Sequence, residues 1–154
     1  MEKLIEQISA KTDLAKVIIA SVPDTPGIAS ELFSLLGEAG FNLETITQVS
    51  TSKNVCDVSF TINEKEVDEV VEYLRTKVEH FHVKDVIVNK DIALITIYGE
   101  KIAKTPGIAG KIFTNVAKNG VNIENITASL MMISFLVPKN RANEVIESLK
   151  KEFG

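Results

Sequence analysis

Residues 25 to 47 read TPGIASELFSLLGEAGFNLETIT, and residues 105 to 127 read TPGIAGKIFTNVAKNGVNIENIT. Aligned without a gap, the two stretches keep Thr, Pro, Gly, Ile, Ala, Phe, Gly, Asn, Glu, Ile and Thr in place, so the chain is one unit used twice. The kept residues fall at a helix start, along its apolar stripe and in the turn behind it, and each copy is a control for the other. Upstream, residues 15 to 22, AKVIIASV, are β-branched and bounded by Pro23, which predicts a buried strand. Thr25 then reads as an N-cap and Pro26 as the first helical position, with Ile28, Leu32, Leu35, Leu36 and Ala39 as one apolar stripe and Gly40 as a left-handed close. Two strands follow, FNLETITQVS and NVCDVSFTI, around a turn at Thr51, Ser52, Lys53 and Asn54. Alternation puts Val55, Asp57, Ser59 and Thr61 on one face of the second strand and Cys56, Val58, Phe60 and Ile62 on the other. A helix from about Glu64 to Glu79, with Val67, Val70, Val71 and Leu74 inward, and the strand KDVIVN complete the order βαββαβ.

The second unit repeats that order. ALITIYG is a strand, Pro106 to Asn119 a helix, residues 121 to 128 and 131 to 137 two strands, and Arg141 to Phe153 a helix. No segment is left for a fourth strand, so this sheet would keep an open edge. Residues 3 to 10, KLIEQISA, fit a helix turn as well as a strand by local pattern, and the missing strand decides for the strand. The expected organisation is an N-terminal strand at 3 to 10 completing the second unit, a first unit at 15 to 90 and a second at 91 to 154.

With 154 residues, 45% of them hydrophobic, the chain has apolar surface for two small cores of roughly 70 to 80 residues each. Units so small are marginal alone and are expected to pack on each other. A net charge of −4 with scattered Lys and Arg argues against a nucleic-acid partner, which requires a positive face. No apolar run approaches the roughly 20 residues of a membrane span, and the start, MEKLIEQISA, lacks the apolar core of a signal peptide. A cytoplasmic protein without a membrane partner is expected. Cys56 is the one cysteine, read as an inert core thiol.

The loop Asp24-Thr25-Pro26-Gly27 and its counterpart Lys104-Thr105-Pro106-Gly107 are where chemistry is expected. A helix N-terminus offers unpaired N–H groups and the positive end of the dipole, and a glycine there admits a carboxylate. Starting a helix would account for the motif equally well, and satisfying a turn would account for Asn42 and Asn122, which recur where the chain enters the next strand and are expected near the same rim. The copies differ in two telling places. Asp24 can take the α-ammonium of an amino acid whose carboxylate sits on the helix end, and Lys104 cannot; Gln48 becomes Ala128. The second hairpin is also tighter, with residues 48 to 60 answered by 128 to 135, and Leu130, Met131 and Met132 replace polar residues as an apolar edge expected in a core or a subunit interface. His80 and His82 would share a strand face but lack the partners of a metal site. Glu64, Glu66, Asp68, Glu69 and Glu72 read as a solvated helix face. No Walker loop, nucleophile elbow or G-x-G-x-x-G occurs; no catalytic residue, cofactor or metal is expected.

The order βαββαβ twice, with Pro-Gly at each strand-to-helix turn and Asn after the first helix, resembles tandem ACT-domain proteins, and more closely the regulatory region of aspartokinase. The residues that carry the resemblance are Pro23-Asp24, Pro26-Gly27-Ile28-Ala29, Leu32-Phe33, Ala39-Gly40-Phe41-Asn42-Leu43, Ile46 with Gln48, and Cys56-Asp57-Val58-Ser59-Phe60. In the second unit they are Pro106 to Ala109, Phe113, Asn122-Ile123-Glu124, Ile126-Thr127, Ser129 and Ile133-Ser134. The chain departs from the family pattern at Gly99-Glu100-Lys101-Ile102 and at Leu130-Met131-Met132. The resemblance implies an α+β fold of two ferredoxin-like units, with an N-terminal strand completing the second sheet. It also implies a homodimer through ACT units that partners an aspartokinase catalytic domain or subunit, this chain lacking the kinase domain itself. Lysine, threonine or both would bind at ACT–ACT interfaces and inhibit formation of aspartyl phosphate. Carried over by position, it implicates Asp24, Thr25, Pro26, Gly27, Ile28, Asn42, Ile46 and Gln48 on one side, with Asn122 and Ile123 facing them. A free-standing ACT pair regulating another amino-acid pathway is the rival reading, distinguished by failure to associate with an aspartokinase catalytic chain. An enzyme on the same fold would need a clustered polar site that the sequence does not show.

Overall fold

The computed structural model of the chain describes residues 4 to 81 and 85 to 154. Two compact units result, one of Asp13–Lys90 and one that joins the N-terminal segment up to Thr12 to Asp91–Gly154. In the first, strand β2 (Leu14–Pro23) leads into helix α1 (Ile28–Glu38), strands β3 (Leu43–Ser52) and β4 (Val55–Asn63), helix α2 (Val67–Phe81) and strand β5 (Asp85–Asn89). The sheet order is β3-β4-β2-β5, antiparallel throughout. The second unit runs β6 (Ala93–Tyr98), α3 (Ile108–Lys118), β7 (Glu124–Ala128), β8 (Met132–Val137) and α4 (Ala142–Phe153). Its sheet, β1-β6-β8-β7, is completed by the N-terminal strand β1 (Gln7–Lys11). This is the α+β architecture of two ferredoxin-like βαββαβ units.

Hydrophobic pattern explains each element. Leu32 and Leu36 of α1 are buried with Val67, Val70 and Leu74 of α2 against Val17, Ile19, Val58 and Phe60 of the sheet. The second core is built alike, from Ile112, Val116, Val145 and Leu149 against Ile95, Ile97 and Phe135. The expected alternation in β4 holds: Cys56, Val58, Phe60 and Ile62 face this core. Thr61 on the other face is also fully buried, its hydroxyl 2.7 Å from that of Thr45. Helix α1 ends as expected, with Gly40 at φ 89° and the Phe41 N–H bonded to Leu36 O at 3.1 Å, the closure that a left-handed residue after the last turn permits.

Several placements differ from the sequence reading. Helix α2 begins at Val67 rather than near Glu64, because the Asn63 side chain accepts the Lys65 N–H (2.9 Å) and its carbonyl accepts the Glu66 N–H (2.9 Å), a local turn that competes with helix. The first hairpin is tighter than a turn at 51 to 54. Strand β3 runs through Ser52, with a register shift between Ser50 and Ser52, leaving Lys53 and Asn54 as the turn, with Asn54 in the left-handed region at φ 63°, which asparagine tolerates better than most residues. His80 lies in α2, not on a strand, and its Nε2 meets Glu31 Oε1 at 2.6 Å; His82 falls outside the described residues.

Strand β1 starts at Gln7, later than the expected 3 to 10, and pairs antiparallel with β6 from Gln7↔Tyr98 to Lys11↔Leu94. It occupies beside β6 the place that β5 occupies beside β2. Ile5, just before it, is 3% exposed and belongs to the second core. Here the backbones approach so closely that a Cβ on Gly99 would lie 2.2 Å from the Leu4 carbonyl oxygen. Gly99→Ala is therefore expected to lower stability by about 1–3 kcal/mol. Chemical denaturation measures the loss, and amide exchange should show it concentrated in the β1–β6 ladder.

Candidate functional site

The repeated Thr-Pro-Gly is a turn in both units. Ile28 N–H bonds to Thr25 O at 3.3 Å across Gly27 (φ 92°, ψ −15°), and Ile108 N–H to Thr105 O at 3.4 Å across Gly107 (φ 79°, ψ 1°). That is the geometry of a type II turn, which favours proline at its second residue and needs positive φ at its third. Two expectations are corrected by it. Thr25 is not an N-cap, since no side chain caps α1 and Gly27 holds that position, and Pro26 precedes the helix. The glycine is explained by backbone conformation before any ligand is invoked. What remains for a ligand is the helix end itself: Glu31 N–H is the first to return along the helix, to Gly27 O at 2.9 Å, so the N–H groups of Ala29 and Ser30 before it lack an intrahelical partner, as at any helix start.

Beside this end the structure brings Asp24 and Gln48 together, Gln48 Nε2 donating to Asp24 Oδ1 at 3.3 Å. Both are exposed. Asp24 directly follows β2, and its N–H is bonded to Asn54 O at 2.8 Å in the β3–β4 turn. Gln48 pairs across β3–β4 with Val58 and Ile46 with Phe60, so both point to the helix side of the sheet. There Ile46 is 54% exposed. Thr25, Pro26 and Gly27 are exposed around the turn, whereas Ile28 packs against the first core. The corner thus offers a carboxylate, an amide, an apolar side chain and a helix N-terminus.

Asn42 is not part of that corner. It is exposed at the other end of α1, whose 11 residues span roughly 16 Å, and β3 carries it roughly 20 Å from Gln48. In the second unit Asn122 is exposed and Ile123 packs on the core. The second loop has another backbone. Strand β6 stops at Tyr98, and Gly99 and a 3-10 turn over Ile102–Lys104 follow, with the Lys104 N–H returning to Lys101 O at 3.0 Å. Lys104 is thereby held by its own turn, whereas Asp24 is held by the neighbouring hairpin.

Sequence reasoning missed Ser21, Asp57 and Asn54. Ser21 has φ 59°, uncommon for a residue other than glycine, and its N–H donates to Asp57 Oδ1 at 3.0 Å. A signal was present: beyond Leu14 at its start, the buried residues of β2 are Ala15, Val17 and Ile19, then Val22, a change of parity that marks a bulge. Cys56 is buried, and burial followed by the charges of Asp24 and Asp57 raises its thiol pKa, in keeping with an inert thiol. Leu130, Met131 and Met132 are exposed at the β7–β8 turn, outside the second core. Of the acidic residues read as one helix face, Asp68, Glu69 and Glu72 are exposed on α2, while Glu64, exposed, and Glu66, half-buried, lie in the turn before it. Two grooves, of about 630 and 520 Å³, lie elsewhere, one over Lys111, Thr114 and Phe153 and one over Val71, Arg75 and Val88. Among the described residues no group of three His, Cys, Asp or Glu is placed to hold a metal, and no helix is long and apolar enough to cross a membrane.

Residues 16 to 79 match the ACT domain, and residues 95 to 153 match a second model of the ACT domain. The chain belongs to the ACT-domain family, as a tandem pair. It is 29% identical over 155 residues to an aspartokinase of Thermus thermophilus, covering 99% of this chain and 38% of the relative. To an aspartate kinase of Pseudomonas fluorescens it is 26% identical over 152 residues, covering 99% and 37%. A crystal structure of the regulatory subunit of aspartate kinase from Thermus thermophilus, in ligand-free form, matches with a TM-score of 0.90 at 29% identity, over 99% of this chain and 100% of that one. The chain spans less than two-fifths of the length of these kinases and is the homologue of their regulatory ACT part, not of the catalytic domain.

Because Asp24 and Gln48 are exposed and bonded only weakly, Asp24→Ala and Gln48→Ala are expected to change folding stability by no more than about 0.5 kcal/mol. Urea denaturation checks this, and it separates any later loss of binding from loss of fold.

Proposed function

We propose that this chain is the amino-acid-sensing ACT pair of an aspartokinase, binding lysine, threonine or both and carrying feedback inhibition to the catalytic part. The observation that carries the reading is the Asp24–Gln48 pair beside the open end of α1, present in one unit and replaced by Lys104 and Ala128 in the other. A free amino acid is a zwitterion. Its carboxylate suits the helix N-terminus and its ammonium suits Asp24, with Gln48 as a further polar contact and Ile46 against its aliphatic stem. Within one unit Asn42 stands too far from Asp24 to share a small ligand, so an asparagine at the strand entry, such as Asn122 with Ile123, would come from a different ACT unit. That is the bridging arrangement the aspartokinase resemblance implies, and with it come a homodimer through ACT units and a cytoplasmic location. The effector can shift the kinase only by its differential affinity for two arrangements of the assembly.

A thermal-shift screen of the twenty amino acids and diaminopimelate tests the reading. A ligand at a hundred times its Kd adds about 2.7 kcal/mol of stability, a shift of several degrees in a chain of this size. Lysine or threonine is expected to give it, and silence from every compound would leave the chain a purely structural role. Hydrogen bonds to charged groups contribute about 1.5–3 kcal/mol, so Asp24→Ala should weaken effector binding roughly 10- to 100-fold. Lys104→Ala should leave it within about twofold by calorimetry; equal losses in the two variants would refute the asymmetry.

A further inference from the structure

The feature that separates the two units most sharply is the bulge in β2. Pairing with β4 runs regularly to Ile19↔Val58 and resumes at Val22↔Cys56, so Ala20 and Ser21 together oppose Asp57. One extra residue in a strand reverses which face each later side chain takes. Before the bulge the buried side chains alternate through Ala15, Val17 and Ile19, with Leu14 buried at the strand's start; after it the buried one is Val22. Asp24 therefore shares the helix side with Val22, the side to which Gln48 also points. Without the bulge Asp24 would fall on the opposite face, away from both Gln48 and the end of α1. The second unit is the comparison. Ala93, Ile95 and Ile97 alternate without a break until β6 stops at Tyr98, and Met132 is paired there, at the place before Ser134 and Phe135 that Asp57 holds before Ser59 and Phe60.

We propose that Asp57 is the positioning residue of the first unit's amino-acid site, clipping the Ser21 N–H so that the bulge aims Asp24 at the ligand. The clip is a hydrogen bond of 3.0 Å from Ser21 N–H to Asp57 Oδ1. Ser21 is held at φ 59°, a conformation that does not persist in a non-glycine residue without surrounding support. Asp57 touches no ligand in this arrangement; it acts through the backbone that carries Asp24. The proposal rests on the function argued above, and the two fail differently.

The test uses the whole chain with L-lysine and L-threonine as probes, calorimetry for Kd and NMR exchange of the Ser21 amide. Asp57→Ala should raise Kd at least about tenfold and speed Ser21 exchange by a similar factor. Asp57→Asn, which keeps the acceptor oxygen and loses the charge, should stay within about threefold on both measures. In the Asp57→Ala background, adding Asp24→Ala should cost little more, because Asp24 is already misplaced; general loss of stability would not produce that coupling. Should Asp57→Ala not fold, Asp57→Glu moves the carboxylate off the Ser21 N–H while keeping its charge, and the same loss is expected. Wild-type affinity in a folded Asp57→Ala or Asp57→Glu, additive losses with Asp24→Ala, or an Asp57→Asn loss as large as that of Asp57→Ala would overturn the proposal. If the unaltered chain binds neither probe, the amino-acid site is refuted; unchanged Ser21 exchange in Asp57→Ala refutes the clip on its own.

Discussion

The antiparallel pairing of β1 with β6 is the constraint on which the rest of the chain depends. A βαββαβ unit needs a fourth strand beside its first, and the second unit obtains it from the opposite end of the sequence, with Ile5 sealing the core next to it. The first unit is consequently an insertion, in sequence, between two adjacent strands of the second. Cutting at residue 90 would leave β6 with a free edge and Gly99 without the backbone that it is shaped to meet. Loss of a strand exposes a row of unpaired N–H and C=O groups, the situation proteins generally avoid. The tandem repeat is thus not a pair of separable beads, although each unit has its own core.

Within that frame the cores are interchangeable in design and the loops are not. Both units bury two helices on a four-stranded antiparallel sheet, with phenylalanine at matching places in β4 and β8. The divergence begins where the first strand leaves the core. In the first unit the bulge lets β2 run on to Pro23 and delivers Asp24 to the β3–β4 turn. In the second, Gly99 and a 3-10 turn take the chain away from the sheet. The charge difference between Asp24 and Lys104 is therefore accompanied by a difference of backbone, and substituting one side chain for the other would not convert one loop into the other.

Much of this was legible in the sequence because it rests on periodicity and turn chemistry. The helices, the strands, the unit order and the N-terminal strand follow from apolar spacing, glycine placement and the count of strands a closed unit requires. The errors have local causes. Asn63 delays α2 by a side-chain turn that periodicity does not register. Thr25 looks like a cap because Thr precedes an apolar stripe, yet the Pro-Gly after it forms a turn first and displaces the cap. Asn42 was expected beside the helix start because it is repeated with it, but sequence proximity across a helix becomes separation along its axis. The bulge was written only as a change of parity between Ile19 and Val22, a signal easily lost in a run of apolar residues.

Repetition itself proves an uneven guide to function. Thr-Pro-Gly is kept in both units for a reason internal to folding: a type II turn needs positive φ at its third residue, and glycine meets that need without strain. Its retention would follow even if neither unit bound anything. The Ser21 bulge is the opposite case. The second unit closes the same sheet on the same kind of core without it, so the fold does not require a serine at φ 59°. A strained residue that the architecture does not demand calls for another explanation, and inference properly runs from such an outlier to function. What the bulge changes is the face on which Asp24 stands. That consequence makes the first loop, rather than the repeated motif, the feature that distinguishes a sensing unit from a supporting one.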